Sequence, residues 1–224
     1  MSDTYIFIYS LIGVFLLIIS ILFIYLDFFK SLFVTLFKKR RVKAKLKKFA
    51  IDHDFPLLSN VVFQIKKEVF IKIDHIMIGN KYIYVISAKS WYGYLNGKAK
   101  DPKWILYRRD KLSHIKNPLI LNETRIKYLA AFLDSRIEDF VNIVYLAKPV
   151  VSKKIKSESQ REFILGEDEF DKFIEVYEKE CKLNDFSIKA VEKTAKKIFS
   201  YHKKSLLSFE QLSKKKIKSC QMTK

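Results

Sequence analysis

The sequence predicts an α/β domain preceded by one transmembrane helix, and three observations predict it. An uncharged, strongly apolar stretch of 23 residues runs from Thr4 to Leu26. Three runs rich in β-branched and aromatic residues follow one another between residues 60 and 89. Beyond residue 117, apolar residues at helical spacing alternate with short apolar runs of strand length.

The first stretch is long enough to cross a bilayer, for which about 20 apolar residues suffice. It is longer than the core of a cleaved leader, and it lacks both a positive segment before it and a small-residue cleavage site, so it reads as an anchor. Asp3 is the only charge on its N-terminal side, whereas Lys38, Lys39, Arg40, Arg41, Lys43, Lys45, Lys47 and Lys48 follow it closely. The positive-inside rule then predicts a single-pass protein of the cell membrane, with the N-terminus outside and the bulk of the chain cytoplasmic. Phe28 to Phe37 extends the helix or lies along the interface. The predicted organisation is an anchor and its extension over 1–37, a basic juxtamembrane segment over 38–57, a domain over 58–202 and a basic tail over 203–224.

Much of the formal net charge of +19 sits in the flanks. Residues 38–48 hold eight Lys and Arg and no acid, and residues 203–224 hold seven Lys against Glu210. The first cluster reads as an orientation signal that also attracts membrane lipid of negative charge. The second is either a solvated tail or an electrostatic arm for nucleic acid or lipid. Cys181 and Cys220 lack metal-ligand spacing, and His53, His75, His114 and His202 are scattered, so no zinc site is indicated.

The three apolar runs are Val61–Ile65, Phe70–Ile78 and Tyr82–Ile86, and Lys66-Lys67-Glu68 and Gly79-Asn80-Lys81 break them into a three-stranded meander. Side chains alternate along a strand, so Lys72, Asp74 and Ile76 are expected on one face, and Val85, Ser87 and Lys89 on one face of the next strand. A carboxylate, a hydroxyl and an ammonium therefore converge at the strand ends, while His75 alternates away from Asp74 toward a packing or hydrogen-bonding role. Pro118 opens a helix through roughly Ile137. Val141–Leu146 follows as a buried strand, parallel to a neighbour because a helical crossover reaches it. Glu162–Leu165 is a short strand, Asp168 to Lys182 an acidic amphipathic helix, and Ser187 caps a last helix to about His202.

In order and spacing, Ile73-Asp74-His75, Ser87-Ala88-Lys89, the Gly-containing segment Trp91–Gly97, Trp104 and Asn117-Pro118-Leu119 resemble the NERD (nuclease-related) domain family over roughly residues 58–200. The resemblance implies a restriction-endonuclease-like core of the (D/E)xK nuclease type, with catalytic positions at Asp74, Ser87 and Lys89. Three departures stand against it. The family's Glu of Glu-x-Lys is Ser87, its Gln after Asn-Pro is Leu121, and the Gly-Glu of its first helix has no counterpart in the basic run before residue 51.

Mg²⁺ is a hard cation held by carboxylates and waters, so Asp74 alone makes a weak metal ligand. Without that metal a lone lysine supplies only positive charge to a phosphodiester. No cofactor is expected, and Mg²⁺ only if the enzyme is active. Asp52, Asp54 and Glu68 are the candidate substitute carboxylates. A second chemistry, Ser87 as nucleophile with Lys89 as base, needs a desolvated lysine and an oxyanion hole; a substituted catalytic position is the simpler account.

The segment after Lys89 is the predicted nucleic-acid contact. Trp91, Tyr92, Tyr94, Trp104 and Tyr107 interleave with Lys98, Lys100, Lys103, Arg108, Arg109 and Lys111, a mixture suited to base stacking and phosphate contacts. Its alternative is a hairpin whose aromatics cover the core edge. The sequence thus predicts a membrane-anchored protein that binds or processes DNA or RNA through a degenerate nuclease fold. The alternatives are an active metal-dependent nuclease with a rearranged carboxylate, or a tethered module for a protein partner.

Overall fold

A computed structural model describes Tyr5, residues 13–20 and residues 40–222, apart from Tyr92, 109–110, 148–149, 153–154, 156, 158 and 182; for 150–152 and 211–222 it describes the backbone alone. Two compact units emerge, Met1–Arg41 and Val42–Lys224. In the first, residues 13–20 are helical, with Val14, Phe15, Leu16, Leu17 and Ile18 all exposed. Among the described residues no helix is long and apolar enough to cross a membrane. Most of the span predicted from Thr4 to Leu26, and all of Phe28–Phe37, lies outside the described residues.

The second unit is a mixed α/β domain built on two sheets. A helix over 40–52 (α1) leads into β1 (Leu57–Lys66), β2 (Val69–Ile78) and β3 (Ile83–Lys89), the predicted meander. Three further strands, β4 (Gly93–Asn96), β5 (Lys103–Arg108) and β6 (Lys111–Lys116), precede α2 (Pro118–Leu133). A 3-10 turn (Ile137–Asp139) and β7 (Phe140–Leu146), β8 (Val150–Ser152), β9 (Glu162–Gly166), α3 (Phe170–Glu180) and α4 (Ile188–Met222) complete the described elements. The main sheet has the order β1-β2-β3-β7-β9, and the smaller one β6-β5-β4-β8. β7 lies parallel to both β3 and β9, and every one of its residues is buried, as expected of a strand covered on both faces.

Three apolar clusters follow from this layering. On one face of the main sheet α1 and α3 place Leu46, Phe49, Phe170 and Ile174 against Tyr84, Ile86 and Tyr145. On the other, α2 and α4 place Ile126, Leu129 and Ile198 against Ile73, Ile76, Ile78 and Val85. The third joins Leu95, Trp104 and Leu106 of the smaller sheet to Leu119, Val144 and Leu146.

Two predicted boundaries move. The basic juxtamembrane segment is largely α1, because Lys43, Lys47 and Lys48 face water while Val42, Leu46, Phe49 and Ala50 enter the core. The last helix does not end at His202 but continues to Met222, so the predicted basic tail is helix, with Ser205 buried inside it. Its cause is visible at β1, an edge strand whose outward backbone groups need partners. Val62 N–H donates to His202 Nδ1 at 3.0 Å, Gln64 N–H donates to Ser205 Oγ at 3.2 Å, and Tyr201 O–H donates to Gln64 O at 2.8 Å.

Candidate functional site

The site begins where two strands part. β2 and β3 pair from Ile78↔Ile83 to His75↔Ile86 and no further, whereas β3 continues beside β7 as far as Lys89↔Leu146. Asp74 and Ser87 are the first residues beyond the last shared pair, and they stand in the fork. Across β2, the β1 register skips at Asn60, which takes a left-handed conformation (φ 56°) opposite Asp74. The twist breaks strict alternation: Ile73 and Ile76, three apart, pack in the same cluster, so Lys72 turns away from the face that Asp74 shares with Val85, Ser87 and Lys89. The sequence expectation for Lys72 fails on this local twist.

Lys89 Nζ and Ser87 Oγ both donate to Asp74 Oδ2, each at 3.3 Å. Charge-assisted bonds run about 2.7–2.9 Å, so this is a loose, partly exposed ion pair. Ser87 is fully buried and its hydroxyl addresses Asp74, not Lys89, which leaves the serine-lysine nucleophile without its required contact.

Two residues of α2 that sequence reasoning missed complete the constellation. Asn122 is fully buried and its Nδ2 donates to Val85 O at 3.2 Å and Ile143 O at 3.3 Å, pinning the helix across β3 and β7. One turn on, Arg125 donates from Nη1 to Asn122 Oδ1 at 2.7 Å. Burial pulls the Arg125 guanidinium below its ordinary range, and the negative charge of Asp74 opposes that pull. The sequence signal for this pair is that the two stand three apart, one helical turn, in the helix that Asn117-Pro118 opens. Asn117 anchors the same helix: its Oδ1 accepts from Leu119 N at 2.9 Å, and its Nδ2 donates to Ala99 O and Asp101 O at 2.7 Å each.

His75 points to the opposite face, where its Nδ1 pairs with Ser59 Oγ at 2.9 Å. Burial lowers its pKa to about 4, with Lys43 pushing the same way and Asp74 opposing. The ring is therefore neutral at pH 7.

The predicted contact segment divides. Trp104 is fully buried in the third cluster and donates Nε1–H to Lys98 O at 2.9 Å, so it packs the smaller sheet and is not available for stacking. Trp91 is partly buried against the same cluster. Lys98, Lys100 and Lys103 are exposed and Arg108 partly so, while Tyr92 and Arg109 lie outside the described residues. The outer face of the smaller sheet instead brings Tyr94 beside Tyr107, ring centroids 6.0 Å apart, with Lys103 paired to Lys116 and Ile105 to His114. Gly93 makes this possible, since at φ 108° a side chain there would be strained and its Cβ would collide with the Tyr107 carbonyl.

A family model, NERD: Nuclease-related domain, matches residues 36–151, more than half of the 224. The chain belongs to the nuclease-related domain family. No curated protein and no solved structure matches it. The match spans α1, the meander, β4 to β6, α2 and β7, and so takes in every residue of the fork. A nuclease of this type uses a divalent cation, and the donor set does not suit one: Asp74 is joined by a hydroxyl, an ammonium and a guanidinium. Among the described residues no group of three or more His, Cys, Asp or Glu could hold a metal ion. Asp52 and Asp54 close α1 on the other face of the sheet, and Glu68 sits in the β1–β2 turn, about 20 Å from Asp74 at the strand repeat.

Proposed function

We propose that this nuclease-related domain binds nucleic acid at a degenerate nuclease site and is held to a membrane by its N-terminal segment. The observation that carries the reading is the Asp74 carboxylate: it serves Lys89 and Ser87 and stands near Arg125, an environment with a net charge of about +1 that suits a phosphate better than a metal cation. The fork supplies Lys89 and Arg125 for one phosphodiester, and the Tyr94–Tyr107 face with Lys103 and Lys116 supplies stacking and further phosphate contacts. The uncharged stretch from Thr4 to Leu26, with its exposed apolar helix at 13–20, supports the membrane anchor.

The test is binding of the full chain to labelled DNA and RNA, with and without a chelator. The expected result is affinity that ignores the chelator, falls steeply with salt and drops when Lys89 and Arg125 become Ala. Cleavage in Mg²⁺ or Mn²⁺ that Asp74→Ala abolishes would establish the active enzyme instead. No binding at low salt would leave a protein-interaction module.

A further inference from the structure

Crossing the edge of β1, α4 leaves a cavity of about 350 Å³ between itself and the β1–β2 hairpin. That volume lies within the range of small-molecule sites, about 300–1,000 Å³. Its walls are unequal. Val62, Phe70, Leu206 and Phe209 form an apolar lining, and Lys72 and His202 stand among them. Val62 and Lys72 are cross-strand partners, and they turn away from the cluster that takes their neighbours Val61, Phe63, Ile71 and Ile73. The cavity is thus on the sheet face opposite Asp74, and it is independent of the nucleic-acid reading.

The polar groups define what it would hold. His202 accepts the Val62 N–H at Nδ1, which fixes the neutral ring's own proton on Nε2 and makes that nitrogen a donor. Neither Nε2 nor the Lys72 ammonium has an ion pair or hydrogen bond to another described residue. One cation and one N–H donor match the two oxygens and single charge of a carboxylate. Apart from Asn60 at the mouth and Ser59, whose hydroxyl is engaged by His75, the remaining wall is apolar and matches a hydrocarbon chain, and the mouth is marked by exposed Lys72, Asn60 and Phe209.

We propose that this cavity binds a single-chain acyl carboxylate, with the head on Lys72 and His202 and the tail between Phe70, Leu206 and Phe209. A ligand there spans α4 and the hairpin, which already meet edge-to-face through Phe70 and Phe209 at 5.3 Å. It would therefore fasten α4 over the β1 edge.

The experiment uses the full chain in nanodiscs of zwitterionic phosphatidylcholine and a photoactivatable fatty acid, with labelled peptides mapped by mass spectrometry. Labelling at residues 70–72 and 202–209 is expected, displaced by excess dodecanoate and not by dodecyltrimethylammonium. Lys72→Glu reverses the charge at the head and Leu206→Trp fills the tail space, and each should cut the displaceable labelling about tenfold or more. Lys72 is exposed, so its variant decides the matter should Leu206→Trp lower the unfolding temperature. Labelling confined to residues 4–26, equal displacement by the cationic amphiphile, or full labelling of folded Lys72→Glu would each overturn the proposal.

Discussion

Asp74 and His75 are neighbours in sequence and live in opposite environments. Asp74 stands partly exposed in a fork between strands, where the Lys89 ammonium and the Ser87 hydroxyl loosely share one of its oxygens. His75 is 7% exposed on the other face and is held neutral by a dry interior that α1 and α3 close. One face of the strand is built for contact with charge, and the other for stability. Changes behind His75 should cost folding, whereas changes around Asp74 should cost or gain binding.

The largest expected effect comes from removing α1. Val42, Leu46 and Phe49 are each at least 95% buried, and burying such side chains contributes about 2 kcal/mol apiece. Their summed loss of roughly 6 kcal/mol is comparable to the whole stability of a typical domain. A chain beginning at residue 58, the boundary suggested by composition, should lose cooperative thermal unfolding and near-UV circular dichroism, while one beginning at residue 40 keeps both. A sharp transition in the shorter chain would show that α1 is dispensable.

Next in size is the pH response of His75. Its folded pKa of about 4 lies below the ordinary imidazole value of 6.5, so protonation favours the unfolded chain. The neutral ring's contribution is complete above pH 6.5 and is lost as pH falls toward 4, a change of up to about 3 kcal/mol. Denaturant midpoints measured between pH 6.5 and 5 should fall in the parent and fall less in His75→Gln. Parallel slopes would place the titration elsewhere.

Asn122→Ala should affect folding and binding together. It removes the amide that ties α2 to Val85 and Ile143 and strips Arg125 of its acceptor, at a cost of about 2 kcal/mol. Both unfolding midpoint and nucleic-acid affinity should drop, because the helix that presents Arg125 loosens. An unchanged midpoint would mean that α2 is seated by Leu129 and Ile126 alone.

These residues also mark what a sequence can disclose. The meander and α3 were legible because burial of a face imposes a period, and β7 because a strand buried on both faces reads as an unbroken apolar run. The smaller sheet was legible only as an alternative, a hairpin whose aromatics cover the core edge: its strands are short and its outer face mixes Tyr, Ile and Lys, so the pattern does not separate Trp104, which packs, from Tyr107, which faces outward. Asp74, Ser87 and Lys89 were found from motif and alternation, yet Lys72 was misplaced because a left-handed Asn60 on the neighbouring strand resets the period. Asn122 acts through backbone carbonyls of distant strands and Arg125 acts through Asn122, relations that exist only in three dimensions.

The smallest change separates the readings most directly. Asp74→Asn keeps shape and most hydrogen bonding but deletes one negative charge from the fork. The pair it breaks is partly exposed and 3.3 Å long, so stability should move by less than about 1 kcal/mol. Freed of its carboxylate partner, Lys89 joins Arg125 in facing an incoming phosphate. Affinity for a labelled oligonucleotide should then rise about fivefold at low salt and return toward the parent's as salt screens the charge. A metal-dependent nuclease responds in the opposite sense, since Asp74 would be its ligand and cleavage would vanish. A gain in binding with no cleavage to lose puts Asp74 among the residues that tune charge; a loss of both puts it back among those that do chemistry.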